Sequence, residues 1–214
     1  MSSVDPVESY HDLVRVDVFP ALPDYVGRVL DFGGGVGATS AALKSAGRAS
    51  HVVVADQVES HLTEVDRTYV GDLEDESFIK ELISDAGPFD TILTLDVFEH
   101  LRDPWSIIRL LHDGLVSGGA IVASIPNVNC HRLVLPLVLR GRWTLTDSGI
   151  LDRTHIRWFA RHEAVELMSA PGLVVEEVRP NVVSRRENLL DKFSFGLLTR
   201  FLALQYVIRA RRTD

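Results

Sequence analysis

Residues 29–40 read VLDFGGGVGATS: an apolar pair, an acid, then four glycines packed into five positions, and finally the small residues Ala38, Thr39 and Ser40. Glycine loses more conformational freedom on folding than any other residue, so such a cluster straight after a strand-like run marks a tight turn, a close approach, or both. The residues beyond it, ATSAALKSAG, have a helical pattern that stops at Gly47. The stretch is therefore a strand, a glycine turn and a helix.

Outward from this unit the chain alternates β-branched runs with helical ones, which is the sequence sign of an α/β fold around a parallel sheet. Strands are expected at Arg28–Phe32, His51–Asp56, Arg67–Asp72, Phe89–Asp96 and Gly119–Pro126. Helices are expected through SFIKELISDAG, ending at Gly87, and through PWSIIRLLHDGL, with Pro104 in its first turn and Gly114 near its end. After Pro126 the alternation lapses over residues 127–159, a connection long enough to be a lid or acceptor-binding insertion. RHEAVELMSA then reads as a helix and LVVEEVRP as a strand. In the closing QYVIRAR, Tyr206, Ile208 and Ala210 alternate with Gln205, Val207, Arg209 and Arg211, so the chain is expected to end on an antiparallel strand. The expected architecture is a seven-stranded, mostly parallel Rossmann-like sheet with helices on both faces, in one domain spanning 1–214.

Composition narrows the function. The 214 residues are 46% hydrophobic and 24% charged, ordinary globular proportions, and the formal charge of −8 disfavours binding to nucleic acid through its phosphates. Cys130 is the only cysteine, so no internal disulfide or thiolate cluster can form. The N-terminal MSSVDPVESYHD carries acids and lacks the apolar core of a secretory signal. No run approaches the roughly 20 apolar residues of a spanning helix. A cytoplasmic protein is expected.

Two cofactor classes fit the glycine turn. Read as Gly33-x-Gly35-x-x-Ala38, it satisfies a relaxed dinucleotide fingerprint, with Asp56 about 20 residues on to hold a ribose. Asp31, two residues before the first glycine, argues the other way, because a carboxylate there repels a pyrophosphate and attracts a cationic ligand. Asp72, in GDLE, offers an acceptor to an adenine amino group.

The whole pattern resembles the class I S-adenosylmethionine-dependent methyltransferases. LDFGGGVG is similar to their first motif, with Asp31, Gly33, Gly35 and Gly37 in the matching places. Gly34 departs from one subgroup, which usually has cysteine there. LDVFEHLRDPW resembles the segment after strand four in the ubiquinone-biosynthesis O-methyltransferases. SIPNV, LRGRW and GILDRTHIRWF resemble bacterial methyltransferases of secondary-metabolite and surface-polysaccharide biosynthesis. The resemblance implies S-adenosylmethionine as cofactor. It implies that the backbone at Gly33 and Gly35 faces the methionine part, with Asp31 organising the ammonium. Asp56, with Gln57 beside it, is implied at the ribose, Asp72 and Leu73 at the adenine, and Asp96 as a lining residue.

The implied reaction is methyl transfer to a small-molecule or sugar acceptor, most simply at a hydroxyl oxygen. Alternatives are a non-catalytic subunit on the same fold and a nicotinamide-dependent enzyme. His155 is the first candidate for the base, with Asp152 three residues upstream to orient it; His100 is the second. Asp152, Arg157 and Trp143 are candidates for acceptor binding. Asp96, Glu99 and His100 lie at i, i+3 and i+4, but without a second carboxylate cluster no metal is expected. The apolar run Leu133–Leu139, flanked by Arg132, Arg140 and Arg142, packs into the core or a homodimer interface, or else makes weak peripheral contact with a membrane.

Overall fold

The computed structural model describes residues 13–182 and 184–214. A 3-10 turn at Val16–Ala21 leads into β1 (Gly27–Phe32), α1 (Ala38–Ser45), β2 (Ala49–Asp56), β3 (Arg67–Val70), α2 (Glu76–Ala86) and β4 (Phe89–Leu95). A second 3-10 turn, Phe98–His100, precedes α3 (Pro104–Asp113), β5 (Leu115–Pro126), α4 (His131–Arg140), α5 (Arg161–Met168) and β6 (Leu173–Asn181). The described chain closes with α6 (Arg185–Phe193), α7 (Thr199–Leu202) and β7 (Gln205–Arg212). No described helix is long and apolar enough to cross a membrane.

The strands form one sheet in the order β3-β2-β1-β4-β5-β7-β6. The first five run parallel, while β7 lies antiparallel to both β5 and β6. The final strand is thus inserted between two earlier ones, with Ile125 opposite Tyr206 on one side and Pro180 opposite Tyr206 on the other.

Both faces of a parallel sheet are covered, so its strands read as nearly unbroken apolar runs. Leu30, Phe32, Val53 and Ala55 point into the core under α2, α3 and α5, with Ile79, Leu82, Ile108, Leu111 and Leu167. Val29, Val52, Val54 and Leu93 point the other way, onto Val18, Ala21 and Leu43. Local caps fix the helix starts: the Asp75 carboxylate accepts the Ser77 N–H at 2.8 Å, and that of Asp103 accepts the Ser106 N–H at 3.0 Å, ahead of Pro104.

Three departures from the sequence reading have physical causes. β5 begins at Leu115, not Gly119, because the register slips between Phe89↔Leu115 and Thr91↔Ala120 and the glycine pair lies inside this bulge. The connection after Pro126 contains a helix, α4, that tolerates Pro136 and buries only Leu133 among its residues. The segment between β6 and β7 carries α6 and the single-turn α7, where the exposed apolar residues of α6 and of the turn after it leave no clear helical stripe.

β1 and β4 are neighbours whose following connections leave in opposite directions, toward β2 and β5. Ligands of open α/β sheets bind at such a switch point, outside the carboxyl ends of the strands. Removing Leu93, fully buried on β4, should therefore loosen the sheet beneath this crevice: Leu93→Ala is expected to lower unfolding stability by about 2–5 kcal/mol in urea titration.

Candidate cofactor and acceptor site

The glycine turn is shaped first by the protein's own side chains. Gly33, Gly35 and Gly37 have φ of 76°, 58° and 81°, the left-handed region that side chains rarely adopt. A Cβ at Gly33 would lie 2.5 Å from Val97 Cγ2, and one at Gly37 2.5 Å from Val54 Cγ2. At Gly34 it would come within 2.3 Å of the Asp31 carboxyl carbon, so a larger residue there has to displace Asp31. The neighbours around Gly33 are Val97, from the end of β4, and Leu73, from the end of β3, 3.5 Å from the same position. Three strand ends thus converge on one glycine.

Asp31 is 1% exposed and accepts a 2.7 Å hydrogen bond from the Ser40 hydroxyl of α1. Burial pushes its carboxyl up from the usual 3.8 to about 6, the Ser40 bonds oppose this, and the charge of Asp56 adds to it. A cation seated beside Asp31 relieves that penalty, and so the residue fits the ammonium of an amino-acid ligand. Asp56, at the end of β2, accepts the Gly35 N–H at 2.7 Å and the Val58 N–H at 3.2 Å. It holds the loop in shape and remains partly exposed for a ligand. Gln57 and Asp72 are exposed, with the Asp72 carboxylate accepting the Glu74 N–H at 2.9 Å, and Leu73 is half-buried beside Gly33.

Asp96 stands at the end of β4 with a φ of 58°, unusual for a residue with a side chain. Its carboxylate accepts the Ser124 hydroxyl at 2.9 Å and pairs with the Arg15 guanidinium. Arg15 also bonds Asp17 at 2.9 Å and the Ser124 hydroxyl at 3.1 Å, and its backbone N–H reaches Thr39 at 3.1 Å. Arg15 therefore spans the carboxyl edge from α1 to β5. Sequence reasoning missed it because, Asp17 apart, its partners lie 24 to 109 residues away and no local pattern marks it.

The second cluster lies just beyond Asp96. Glu99 is 1% exposed, and neither carboxyl oxygen has a hydrogen-bond partner among the described residues. Burial, and then the charge of Asp96, hold its carboxyl well above the usual range. His155 is 8% exposed; its Nδ1 lies 3.0 Å from the Ile150 carbonyl and its Nε2 4.0 Å from Glu99 Oε1. A carbonyl only accepts, so Nδ1 carries the proton and Nε2 keeps a free lone pair. Burial lowers the His155 pKa, the Ile150 bond opposes this, and His100 lowers it further. The His100 ring meets that of His155 edge-on, centroids 4.7 Å apart, with its own Nδ1 3.3 Å from the Thr154 carbonyl. The Glu99 carbonyl accepts the N–H groups of both Ile156 and Arg157, at 2.9 and 3.0 Å, and this pins the loop over the 3-10 turn.

Two expectations change here. The acid facing His155 is Glu99; the Asp152 carboxylate instead accepts the backbone N–H of Thr154 at 2.8 Å and its hydroxyl at 2.6 Å. The ligand atoms that cluster are those of Glu99, His100 and His155, within 4.8 Å of one another, whereas Asp96 is engaged by Arg15 and Ser124. Arg157 bonds the Arg102 carbonyl and lies over the Trp105 ring, 5.6 Å from its centroid. Trp143 meets Trp158 edge-on at 5.6 Å, each 40% exposed.

The fold is shared with known proteins. A family model described as a methyltransferase domain matches residues 11–178, and the chain belongs to that family. A methyltransferase domain sets aside the nicotinamide reading. Over 107 residues it is 35% identical to a ubiquinone biosynthesis O-methyltransferase of Ruegeria pomeroyi, a match covering 48% of this chain and 42% of that one. The chain thus spans less than half the length of this curated relative. Among solved structures it is similar to an S-adenosylmethionine-dependent methyltransferase from Mesorhizobium loti, with TM-score 0.59, 16% identity and 92% and 99% of the chains covered. It is also similar to the Burkholderia thailandensis 1,6-didemethyltoxoflavin-N1-methyltransferase, a complex with S-adenosylhomocysteine, with TM-score 0.59, 18% identity and 98% and 82% covered.

Because an ammonium needs Asp31 ionised, affinity for S-adenosylhomocysteine should fall as pH drops below about 6, by up to about tenfold per unit. Calorimetry between pH 5 and 7.5 checks this; Asp31→Asn should bind weakly at every pH and lose the slope. Asp56→Ala should weaken binding of the same ligand by about tenfold or more, since it removes both the loop tie and the acceptor.

Proposed function

We propose that the protein methylates a hydroxyl oxygen of a small-molecule or glycan acceptor, with His155 as the base that receives the hydroxyl proton. The observation that carries this reading is His155 itself: a buried, neutral imidazole with Nδ1 donating to the Ile150 carbonyl and Nε2 free. A neutral hydroxyl is a poor nucleophile, and a base with a pKa near working pH contributes about 10²–10⁴-fold. S-adenosylmethionine supplies a sulfonium methyl for in-line displacement, and the protein binds, orients and excludes water.

In this reading Asp31 and the backbone of Gly33 and Gly35 hold the methionine part, Asp56 and Gln57 the ribose, and Asp72 and Leu73 the adenine. Gly37 starts α1, and Asp96 keeps Arg15 across the crevice, where its guanidinium suits a carboxylate. Glu99, whose carboxyl is held above its usual range by burial and by Asp96, lies 4.0 Å from His155 Nε2, close enough to take part in the movement of the proton. His100 packs its ring against His155 and is the second candidate base. Trp143, Asp152 and Arg157 border the loop that carries His155 and are proposed to meet the acceptor. The R. pomeroyi relative's O-methyltransferase name is consistent with an oxygen acceptor.

His155→Ala should lower kcat by about 10²–10⁴-fold and leave the affinity for S-adenosylhomocysteine nearly unchanged. Turnover equal to wild type across pH 6 to 9, with an acceptor found by screening hydroxylated small molecules and nucleotide sugars, would sink the base assignment.

The Glu99 carboxyl, without a hydrogen-bond partner among the described residues, favours one other reading of the same cluster, a divalent cation on Glu99, His100 and His155. Dialysis against a chelator separates the two. Turnover should survive it if His155 is the base; loss that is restored by added Mg²⁺ or Zn²⁺ would replace that role with metal ligation.

A further inference from the structure

Two apolar segments stand in solvent on one lobe of the molecule. On α4, Val138 is 73% and Leu139 74% exposed, although neighbouring Leu133 is buried. On the segment from α6 to α7, Phe193 is 74%, Phe195 95% and Leu197 77% exposed. The two segments are joined at their roots. Arg132 pairs with Glu187 at 3.1 Å, His131 bonds the Phe201 carbonyl at 2.9 Å, and Asn127 donates to the Arg200 carbonyl at 2.9 Å.

The tip at Phe195 is a built feature. Phe195 has a φ of 53°, a left-handed conformation that is strained for a bulky residue. Around it, the Gly196 N–H bonds the Asp191 carbonyl at 2.9 Å, and the Thr199 hydroxyl bonds both oxygens of the Asp191 carboxylate, at 2.8 and 2.7 Å. Backbone strain thus holds an aromatic ring that is 95% exposed among the described residues.

The charge around these tips is net positive. Residues 131–142 contain three arginines and no acid, and residues 184–202 contain four basic residues and two acids, Glu187 and Asp191, both held in internal contacts. Arg140, Arg142, Arg186, Lys192 and Arg200 are exposed, on a chain whose formal charge is −8. Exposed apolar tips ringed by cations match an anionic bilayer, which takes the apolar groups at the acyl boundary and the cations at its headgroups. A second copy matches poorly, because a two-fold contact on this lobe would set the same cations against each other.

We propose that this lobe is a membrane-docking surface for anionic lipid, with α4 and the Phe193–Leu197 tip entering the headgroup boundary. It sits on the connections that follow β5 and β6, the first of which carries His155, so docking brings the mouth of the acceptor site toward the bilayer. The surface stands on its own residues and does not depend on the identity of the acceptor or of the base.

The test is co-sedimentation of the full chain with vesicles of phosphatidylglycerol mixed into phosphatidylcholine, against pure phosphatidylcholine. Pelleting is expected with the anionic vesicles at about 50 mM salt and should fall several-fold by about 300 mM. Val138→Asp combined with Phe195→Asp should lower the bound fraction about tenfold, while thermal unfolding and S-adenosylhomocysteine affinity stay at wild-type values. Pelleting that is absent, equal on neutral vesicles, or unchanged in the double variant overturns the proposal. So does a dimer in sedimentation velocity that the double variant converts to monomer, which would assign the surface to a second copy.

Discussion

The site depends on a carboxyl group buried where solvent would normally be required. Asp31 lies one residue before the end of β1, beneath the glycine turn, with Ser40 as its hydrogen-bond donor and the Gly34 backbone close against it. Each neighbour follows from that choice. Gly34 has no room for a Cβ, α1 must begin close enough to bring in Ser40, and Asp56 must close the loop by its bond to Gly35. An uncompensated buried acid is costly, and it is most economically retained where a cation is to be bound.

The same logic recurs at Glu99, the second buried acid of the crevice. Both carboxyls lie at ends of central parallel strands or just past them, and both are held above their usual range by burial. They differ in what surrounds them. Asp31 is hydrogen-bonded by a hydroxyl and edged by backbone, whereas Glu99 faces two imidazoles whose Nδ1 atoms are already committed to carbonyls. One environment suits the capture of a charge and the other suits the movement of a proton.

The strand–turn–helix unit and the sheet were legible in the sequence because they are written in local patterns: apolar runs, left-handed glycines, Pro104 after Asp103, and the alternation of Tyr206, Ile208 and Ala210. The cofactor candidates Asp31, Gly33, Gly35, Asp56 and Leu73 sit at strand ends, where that local grammar places them. What stayed hidden depends on distance along the chain. Arg15 meets Asp96 and Ser124 only after β4 and β5 are side by side, and Glu99 meets His155 only after the loop has folded back onto the 3-10 turn. The sequence neighbour Asp152 was the nearer acid to His155 in number, yet its carboxylate satisfies Thr154. The helices α4 and α6 were obscured because many of their apolar residues are exposed, which blurs the periodic stripe from which a helix is recognised, and α7 is only one turn long.

Arg15 also ties the beginning of the described chain to its end. Its partner Asp17 accepts hydrogen bonds from Asn181 at 2.9 Å and Gln205 at 3.2 Å, the closing residue of β6 and the opening residue of β7. During synthesis the glycine turn, Asp31 and Asp56 emerge early, but the clamp across them is complete only when the last strand has slotted between β5 and β6. Such long-range closure is slow relative to local folding. A ribosome-bound chain lacking β7 therefore carries every candidate cofactor-binding side chain in its sequence but lacks the Gln205 bond to Asp17 and the strand that joins β5 to β6, so the carboxyl edge is closed only by the final strand.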